Sequence, residues 1–234
     1  MKVALYLIPV TLGDSPIDLV IPSHNRYVIQ NIRHFIVENE RSARRFIKKI
    51  DPAIEIDDLQ FYILNKHTSP EVLAAFLSPI FKGEPVGLLS EAGCPAIADP
   101  GADIVAIGQK MNVQIVPLVG PSSILLSLMA SGFNGQNFAF RGYLPIEAEQ
   151  RIKTLKKIEQ SIYNQDQTQI FIETPYRNSK LVDDILKNCR PTTKLCLAAD
   201  ITCDNEFIKT LTIQEWSKKV PKLEKRPCIF LLYK

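Results

Sequence analysis

The 234-residue chain lacks the motifs that mark several large enzyme classes. It has no G-x-x-x-x-G-K-[ST] segment, and no G-x-G-x-x-G follows the first predicted strand, which argues against a P-loop NTPase and a dinucleotide-dependent enzyme. The zinc-protease signature H-E-x-x-H and the hydrolase signature G-x-S-x-G are also absent. After these exclusions the sequence offers few titrating groups that could act as catalysts. This favours a reaction in which the bound ligand is itself reactive and the protein positions it.

Cysteine, histidine and long apolar runs are scarce as well. The five cysteines include no C-x-x-C pair, so we expect neither a metal site nor a redox motif, and their odd number and scattered positions are typical of a reducing compartment. The three histidines are isolated and are interpreted as surface or capping residues. The apolar run of residues 3–8 is too short to cross a membrane, and no cleavage site follows it. We therefore expect a cytoplasmic protein without a membrane segment.

Charge and hydrophobic content are those of an ordinary globular protein. The chain is 46% hydrophobic and 23% charged, with a net charge of +3, so an RNA partner is compatible with the charge but is not required by it. The length fits one large domain or two modest ones.

Apolar segments alternate with helical patterns through the first half of the chain, which predicts a parallel sheet covered on both faces. The second half is less regular, and a short link predicts that the strands at 194–199 and 206–211 are antiparallel. The predicted class is therefore α/β with two domains, an N-terminal mostly parallel sheet flanked by helices and a C-terminal mixed sheet with helices. A Pro/Gly-rich segment near residue 118 predicts domains 1–118 and 119–234.

Two helix starts are predicted from capping chemistry. Ser69, followed by proline and Glu71, predicts a serine-capped helix. Thr212 and Glu215 have the spacing of a capping box, which predicts a helix that runs to Val220.

Residues 90–101 are the segment with the clearest binding character. They follow the apolar strand of residues 86–89 and break at once into small residues, with Glu91 and Asp99 among them and a glycine at position 93 that permits a sharp turn. An ordinary strand-to-helix connection is the alternative, but the length and the carboxylates favour a binding loop. A helix start after Gly120 offers free N–H groups to an anion, although the serines there suit plain caps equally well.

A basic helix is predicted near residues 41–50. Apolar residues recur at helical spacing, while Arg41, Arg44, Arg45, Lys48 and Lys49 occupy the remaining surface. We favour a solvated face over a phosphate contact.

Four motifs in order resemble the tetrapyrrole methylase superfamily of S-adenosylmethionine (SAM)-dependent methyltransferases. S-E-A-G-C-P at 90–95 with A-D-P-G at 98–101 resembles S-D-A-G-T-P…S-D-P-G, and V-P-L-V-G-P-S at 116–122 resembles V-P-x-P-G-P-S. F-R-G-Y-L-P at 140–145 resembles F-x-G-F-L-P, and F-I-E-T-P-Y-R at 171–177 resembles F-Y-E-S-P-H-R. The likeness is strongest to the subfamily that methylates a cytidine ribose 2′-hydroxyl in small-subunit ribosomal RNA.

The resemblance implies SAM as the cofactor, in a cleft between two α/β domains of which the first also carries the substrate side, and a homodimer without a metal. It assigns cofactor contacts to these positions: Gly13, Glu91, Ala92, Gly93, Cys94, Ser122, Ser123, Ile172, Ala199 and Pro227.

The substrate-side segments depart from the subfamily pattern. A-E-D-T-R-x-T appears as V-E-N-E-R-S-A at 37–43, A-R-E-L-T-K as A-A-D-I-T-C at 198–203, and a histidine-rich stretch as N-K-H-T at 65–68. The catalytic base is therefore left unassigned, with Glu38, Glu173 and Asp200 as candidates that are equally suited to caps or ion pairs. Ribosomal RNA is the expected acceptor; a small-molecule or protein acceptor and a non-enzymatic SAM-binding module are the alternatives.

Overall fold

The computed structural model describes residues 1–64 and 68–234. It divides into two compact units, Met1–Ser122 (unit 1) and Ser123–Lys234 (unit 2). Each unit contains one five-stranded sheet.

The sheet of unit 1 is entirely parallel, with the order β3-β2-β4-β1-β5, and confirms the predicted arrangement. Its strands are β1 (Leu5–Ile8), β2 (His34–Val37), β3 (Gln60–Ile63), β4 (Val86–Leu89) and β5 (Ile115–Pro117). All five carboxyl ends therefore lie at one edge of the sheet, which is where ligands bind in open parallel sheets.

Helices cover both faces of this sheet. They are α1 (Ile17–Val20), α2 (Ser23–Gln30), α3 (Glu40–Ile50), α4 (Pro70–Phe76), α5 (Ser78–Phe81) and α6 (Gly101–Lys110), with a 3₁₀ turn at Ile56–Asp58. Neighbouring strand residues point to opposite faces, so Phe35 belongs to the apolar cluster that contains residues of α2 and α3, while Ile36 belongs to the cluster that contains residues of α4 and α6.

The predicted serine cap of α4 is only partly correct. Ser69 occupies the N-cap position, but its side chain makes no capping hydrogen bond to the backbone. It interacts instead with the Glu71 carboxylate and lowers the pKa of that group.

Unit 2 has a mixed sheet with the order β6-β7-β10-β8-β9, also as predicted. Its strands are β6 (Phe138–Tyr143), β7 (Thr168–Ile172), β8 (Lys194–Ala199), β9 (Phe207–Thr212) and β10 (Cys228–Tyr233). Only the β6–β7 pair is parallel, and β8 and β9 pair antiparallel as expected. The helices are α7 (Ser123–Ser131), α8 (Ala148–Gln165), α9 (Asn178–Asn188) and α10 (Ile213–Trp216), with a 3₁₀ turn at Pro175–Arg177.

The length predicted for the helix after Thr212 is wrong. The capping box is present, but α10 ends at Trp216 and does not reach Val220. The buried Trp216 donates from Nε1 to the Leu195 carbonyl at 2.8 Å, which fixes the short helix against β8. The proline at 221 also disfavours helical geometry at Val220.

No disulfide joins any of the five cysteines, all of which lie within the described ranges. Burial raises the pKa of Cys189 and of Cys228 to about 12, so these two act as small core residues. The described helices include none with the length and apolar character needed to cross a membrane.

Candidate functional site

The turn after β4 is closed by hydrogen bonds to the loop after β1. The Gly93 carbonyl accepts from Ser90 Oγ at 2.8 Å and from the Val10 N–H at 3.0 Å. Gly93 has φ +72°, and a Cβ at this position would lie 2.9 Å from Leu12 Cδ2. Glycine is therefore required both for the backbone conformation and for the close approach of the two loops.

The second half of the loop is held by Asp99. Its Oδ1 accepts from the N–H groups of Ala96 at 2.9 Å and Gly101 at 2.8 Å, while its buried Oδ2 has no hydrogen-bond partner among residues 1–64 and 68–234. Ala96 and Ala98 both have positive φ, which is unfavourable for residues with a Cβ. Burial raises the pKa of Asp99. The carboxyl group thus stabilises a strained turn that leads into α6.

The loop after β5 packs against the same place. A Cβ on Gly120 would lie 2.2 Å from Pro9 Cβ, so only glycine fits at this contact. Cys94 Sγ donates to the Pro121 carbonyl at 3.4 Å, and burial raises the pKa of the Cys94 thiol. Because β4, β1 and β5 are neighbours in the sheet, their three loops form one continuous surface.

A recess of about 300 Å³ opens beside these loops, between the carboxyl ends of β1 and β4 and helix α3. Glu91 lines it and accepts a 2.7 Å hydrogen bond from Ser42 Oγ, which ties the loop to α3. The residues that line the recess are Val10, Thr11, Gly13, Asp14, Ser42, Ala43, Arg45, Phe46, Lys49, Ser90 and Glu91.

One wall of the recess is cationic and was not predicted as a site. Lys49 donates to Asp14 Oδ1 at 2.9 Å and to the Ser15 carbonyl at 3.0 Å, and its hydrogen bond, together with its charge, lowers the pKa of Asp14. Arg45 lines the recess one helical turn before Lys49. The signal was present in the basic face of α3, but sequence alone does not reveal which cations border a cavity.

The structure brings together the predicted site residues of unit 1 that belong to these loops. Gly13 and Glu91 line the recess, Ala92 is exposed beside them, and Gly93 and Cys94 form the closed turn. Ser122 is the last residue of unit 1, directly after Pro121.

The later predicted residues lie in unit 2. Ile172 ends β7 opposite Ile229, and Ala199 ends β8 opposite Cys228. The Pro227 carbonyl accepts from the Asp200 N–H at 3.0 Å. Ile172, Ala199 and Pro227 therefore share one edge of the unit 2 sheet, while Ser123 begins α7.

Two of the three candidate bases are occupied by guanidinium groups. The buried Glu173 accepts from Arg177 Nε at 2.9 Å and from Nη2 at 2.5 Å. Asp200 accepts from Arg226 Nε at 2.5 Å and from Asn205 Nδ2 at 2.7 Å.

The arginine contacts of Glu173 and Asp200 match the alternative role given to these candidate bases, which is that of ion-pair partners. Glu38 lies half-buried directly after β2.

The other candidate residues that the structure describes form no second site. Residues 65–67, which include His67 and most of the segment compared with the histidine-rich stretch, lie outside the described residues. His34 bonds Glu84 Oε2 at 2.6 Å at the amino end of β2, away from the loops. Within the two described ranges, no group of three or more His, Cys, Asp or Glu side chains is placed to hold a metal ion.

Comparisons with known proteins agree with this architecture. The chain is 26% identical over 211 residues to "Ribosomal RNA small subunit methyltransferase I" of Vibrio cholerae, covering 90% of this chain and 69% of that protein. It is 31% identical over 159 residues to the protein of the same name from Buchnera aphidicola, covering 67% of this chain and 54% of that protein. No family model matches the chain.

Solved structures share the fold over almost the whole chain. The methyltransferase CobJ matches with a TM-score of 0.64 and 13% identity, covering 98% of this chain and 92% of that chain. Uroporphyrin-III C-methyltransferase from Thermus thermophilus, solved with S-adenosylhomocysteine, matches with a TM-score of 0.56 and 15% identity, covering 99% and 97%.

The parallel sheet and the mixed sheet are the α/β architecture that the chain shares with these methyltransferases. These relatives and structural neighbours support the likeness to the tetrapyrrole methylase superfamily that the four sequence motifs predict.

Proposed function

We propose that this protein transfers a methyl group from SAM to small-subunit ribosomal RNA, at a ribose 2′-hydroxyl. The observation that carries the acceptor is the sequence likeness along 90% of the chain to a protein named as a small-subunit ribosomal RNA methyltransferase. The structural neighbours are much less similar in sequence, at 13% to 16% identity, so they support the fold and do not favour a small-molecule acceptor.

The loops of unit 1 suit the methionine part of the cofactor. Gly93 allows a tightly closed turn because this position has no side chain, and the exposed Glu91 beside it offers a carboxylate for the ligand's ammonium or hydroxyl groups. We assign further cofactor contacts to these residues: Gly13, Ala92, Cys94, Ser122, Ser123, Ile172, Ala199 and Pro227. When bound, SAM supplies a sulfonium-activated methyl group, so no metal is required.

The protein's own task is then to position the acceptor hydroxyl and exclude competing water. A ribose hydroxyl is weakly acidic and benefits from a nearby proton acceptor or an orienting group. The ion pairs of Glu173 and Asp200 support structural roles for those carboxylates, so Glu38→Gln is the first substitution to test for a role in proton transfer.

The test is transfer from methyl-labelled SAM to purified small-subunit ribosomal RNA. We expect the label in a dinucleotide that alkaline hydrolysis does not cleave. A 2′-O-methyl group blocks the hydroxyl that would otherwise attack the neighbouring phosphodiester. Label on a base or elsewhere would overturn the ribose assignment.

The same reaction on fractionated cell extract separates the alternatives. Label only in protein or small molecules would replace the RNA acceptor, while no label together with SAM binding in calorimetry would support a binding module. If neither SAM nor S-adenosylhomocysteine binds, the cofactor assignment fails as a whole.

We also propose that the protein acts in the cytoplasm as a homodimer. Support comes from the exposed Leu125 and Met129, four residues apart on α7, which form an apolar strip. Light scattering on the purified protein is expected to give twice the chain mass of 26.4 kDa, and a single-chain mass would contradict the dimer.

A further inference from the structure

Three cations on α3 share one side of the helix. Arg41, Arg45 and Lys49 are spaced four residues apart, so they lie in one row, and all three are exposed. The opposite side of α3 is fixed in the core by the buried Ala43, Ile47 and Ile50. The orientation of the cation row is therefore set by packing.

The cations of α3 differ in how their charges are balanced. Arg44 forms a 2.6 Å ion pair with Glu40, and its guanidinium lies 5.5 Å from the centre of the Phe61 ring. Lys49 pairs with Asp14 at 2.9 Å. Within residues 1–64 and 68–234, neither Arg41 nor Arg45 has an acidic side chain at ion-pair distance. These two guanidinium groups are available to an anion from outside.

Arg41 and Arg45 lie on the side of α3 that borders the recess. Arg45 lines it together with Glu91 and Ser42, and Arg41 lies about 6 Å further along the axis, toward the amino end of α3. The recess in turn borders the turn that we assign to SAM. An RNA strand that brings its nucleotide up to a cofactor held at Gly13 and Glu91 would therefore run its backbone along these two arginines. Guanidinium groups match phosphate oxygens in bidentate geometry, which lysine does not provide.

We propose that Arg41 and Arg45 bind the phosphate backbone of the acceptor RNA beside the recess. This inference rests on the proposed function, because it names the surface through which that acceptor is held. It also distinguishes these two cations from Arg44 and Lys49, which pair with acids, and from Lys48, whose Nζ donates to the Pro52 carbonyl at 2.9 Å.

The test compares the double variant Arg41→Gln/Arg45→Gln with Arg44→Gln, a control that removes a paired cation from the same helix. Binding of a short single-stranded RNA is measured by fluorescence anisotropy between ~50 and ~200 mM salt. Two lost phosphate contacts are expected to reduce the slope of log affinity against log salt by about 1.4, since each contact to a single strand contributes about 0.7. We expect affinity at low salt to fall about tenfold in the double variant, and to change little in Arg44→Gln.

Three results would overturn the inference: an unchanged salt slope in the double variant, an equal loss in Arg44→Gln, or a joint loss of SAM binding and thermal stability that reveals a structural role. Failure of the proposed function has a different signature. In that case the wild-type protein would bind RNA with the expected salt dependence but place no methyl label on it.

Discussion

The carboxylates at the strand-end edge of unit 1 and those at the strand-end edge of unit 2 have opposite surroundings. In unit 1, Glu91 is exposed at the border of a recess and accepts a hydrogen bond from the Ser42 hydroxyl. In unit 2, Glu173 and Asp200 are largely buried and each is bound by an arginine. A carboxylate held by a neutral hydroxyl in contact with water retains its capacity to bind a ligand, whereas one that is buried under a guanidinium has used it for the fold.

The two edges also differ in what holds their backbones. In unit 1, the loops after the neighbouring strands β4, β1 and β5 are held by close backbone approaches at Gly93 and Gly120 and by the turn around Asp99. The unit 2 edge depends on side-chain ion pairs. The unit 1 edge is therefore held mainly by close backbone packing, and the unit 2 edge by side-chain ion pairs.

The largest expected effect is at Glu173. Glu173→Ala leaves Arg177 without its partner and removes a buried acceptor of three hydrogen bonds, so we expect the free energy of unfolding to fall by about 3 kcal/mol. Urea denaturation measures it. A variant that keeps its stability but loses methyl transfer would contradict the structural role and restore Glu173 as a candidate base.

Gly120→Ala is expected to cost slightly less, about 2 kcal/mol, because its Cβ would meet Pro9 at 2.2 Å and force the loops apart. SAM affinity, measured by calorimetry, should fall as well. Gly135→Ala is the matched control, since its Cβ meets nothing within 4 Å, and it should change stability by less than about 0.5 kcal/mol. Equal effects at the two glycines would show that the loop contact carries no stability.

Asp99→Asn tests the strained turn through pH. The folded-state pKa of Asp99 lies above its unfolded value because of burial, so its contribution to stability is present below the unfolded pKa and is lost as pH rises through the folded pKa. Wild type should therefore lose stability relative to Asp99→Asn from acid to neutral pH. The control Asp14→Asn should show the opposite trend, because Lys49 lowers the pKa of Asp14. Parallel pH curves for Asp99→Asn and wild type would disprove the burial argument.

The smallest effect on stability is expected at Glu91. Glu91→Gln removes an exposed charge and should change the free energy of unfolding by less than about 0.5 kcal/mol. SAM affinity should still fall by about tenfold if this carboxylate bonds the ligand. Urea denaturation measures the change in stability, and titration calorimetry on the folded variant measures SAM affinity. An unchanged SAM affinity would move the cofactor away from Glu91.

Much of the fold was predictable because its signals are local. The apolar run of β4, the amphipathic spacing of α3 and the capping box at Thr212 each require only neighbouring residues. The end of α10 at Trp216 was not predictable in this way, since it depends on a hydrogen bond to β8. The three candidate bases could be named from the sequence. The sequence did not show that two of them form ion pairs with arginines.

By itself, the sequence determined the α/β class, the order of the elements and the loop segments in which glycine, proline and small residues replace apolar ones. Periodicity and turn chemistry act within a few residues, so they are legible in the chain. Only the tertiary structure decided which charges are neutralised: that Lys49 meets Asp14 and Arg226 meets Asp200, and that Arg41 and Arg45 meet no acid within the described chain. Those pairings join residues distant in sequence, and charge balance depends on distance in space.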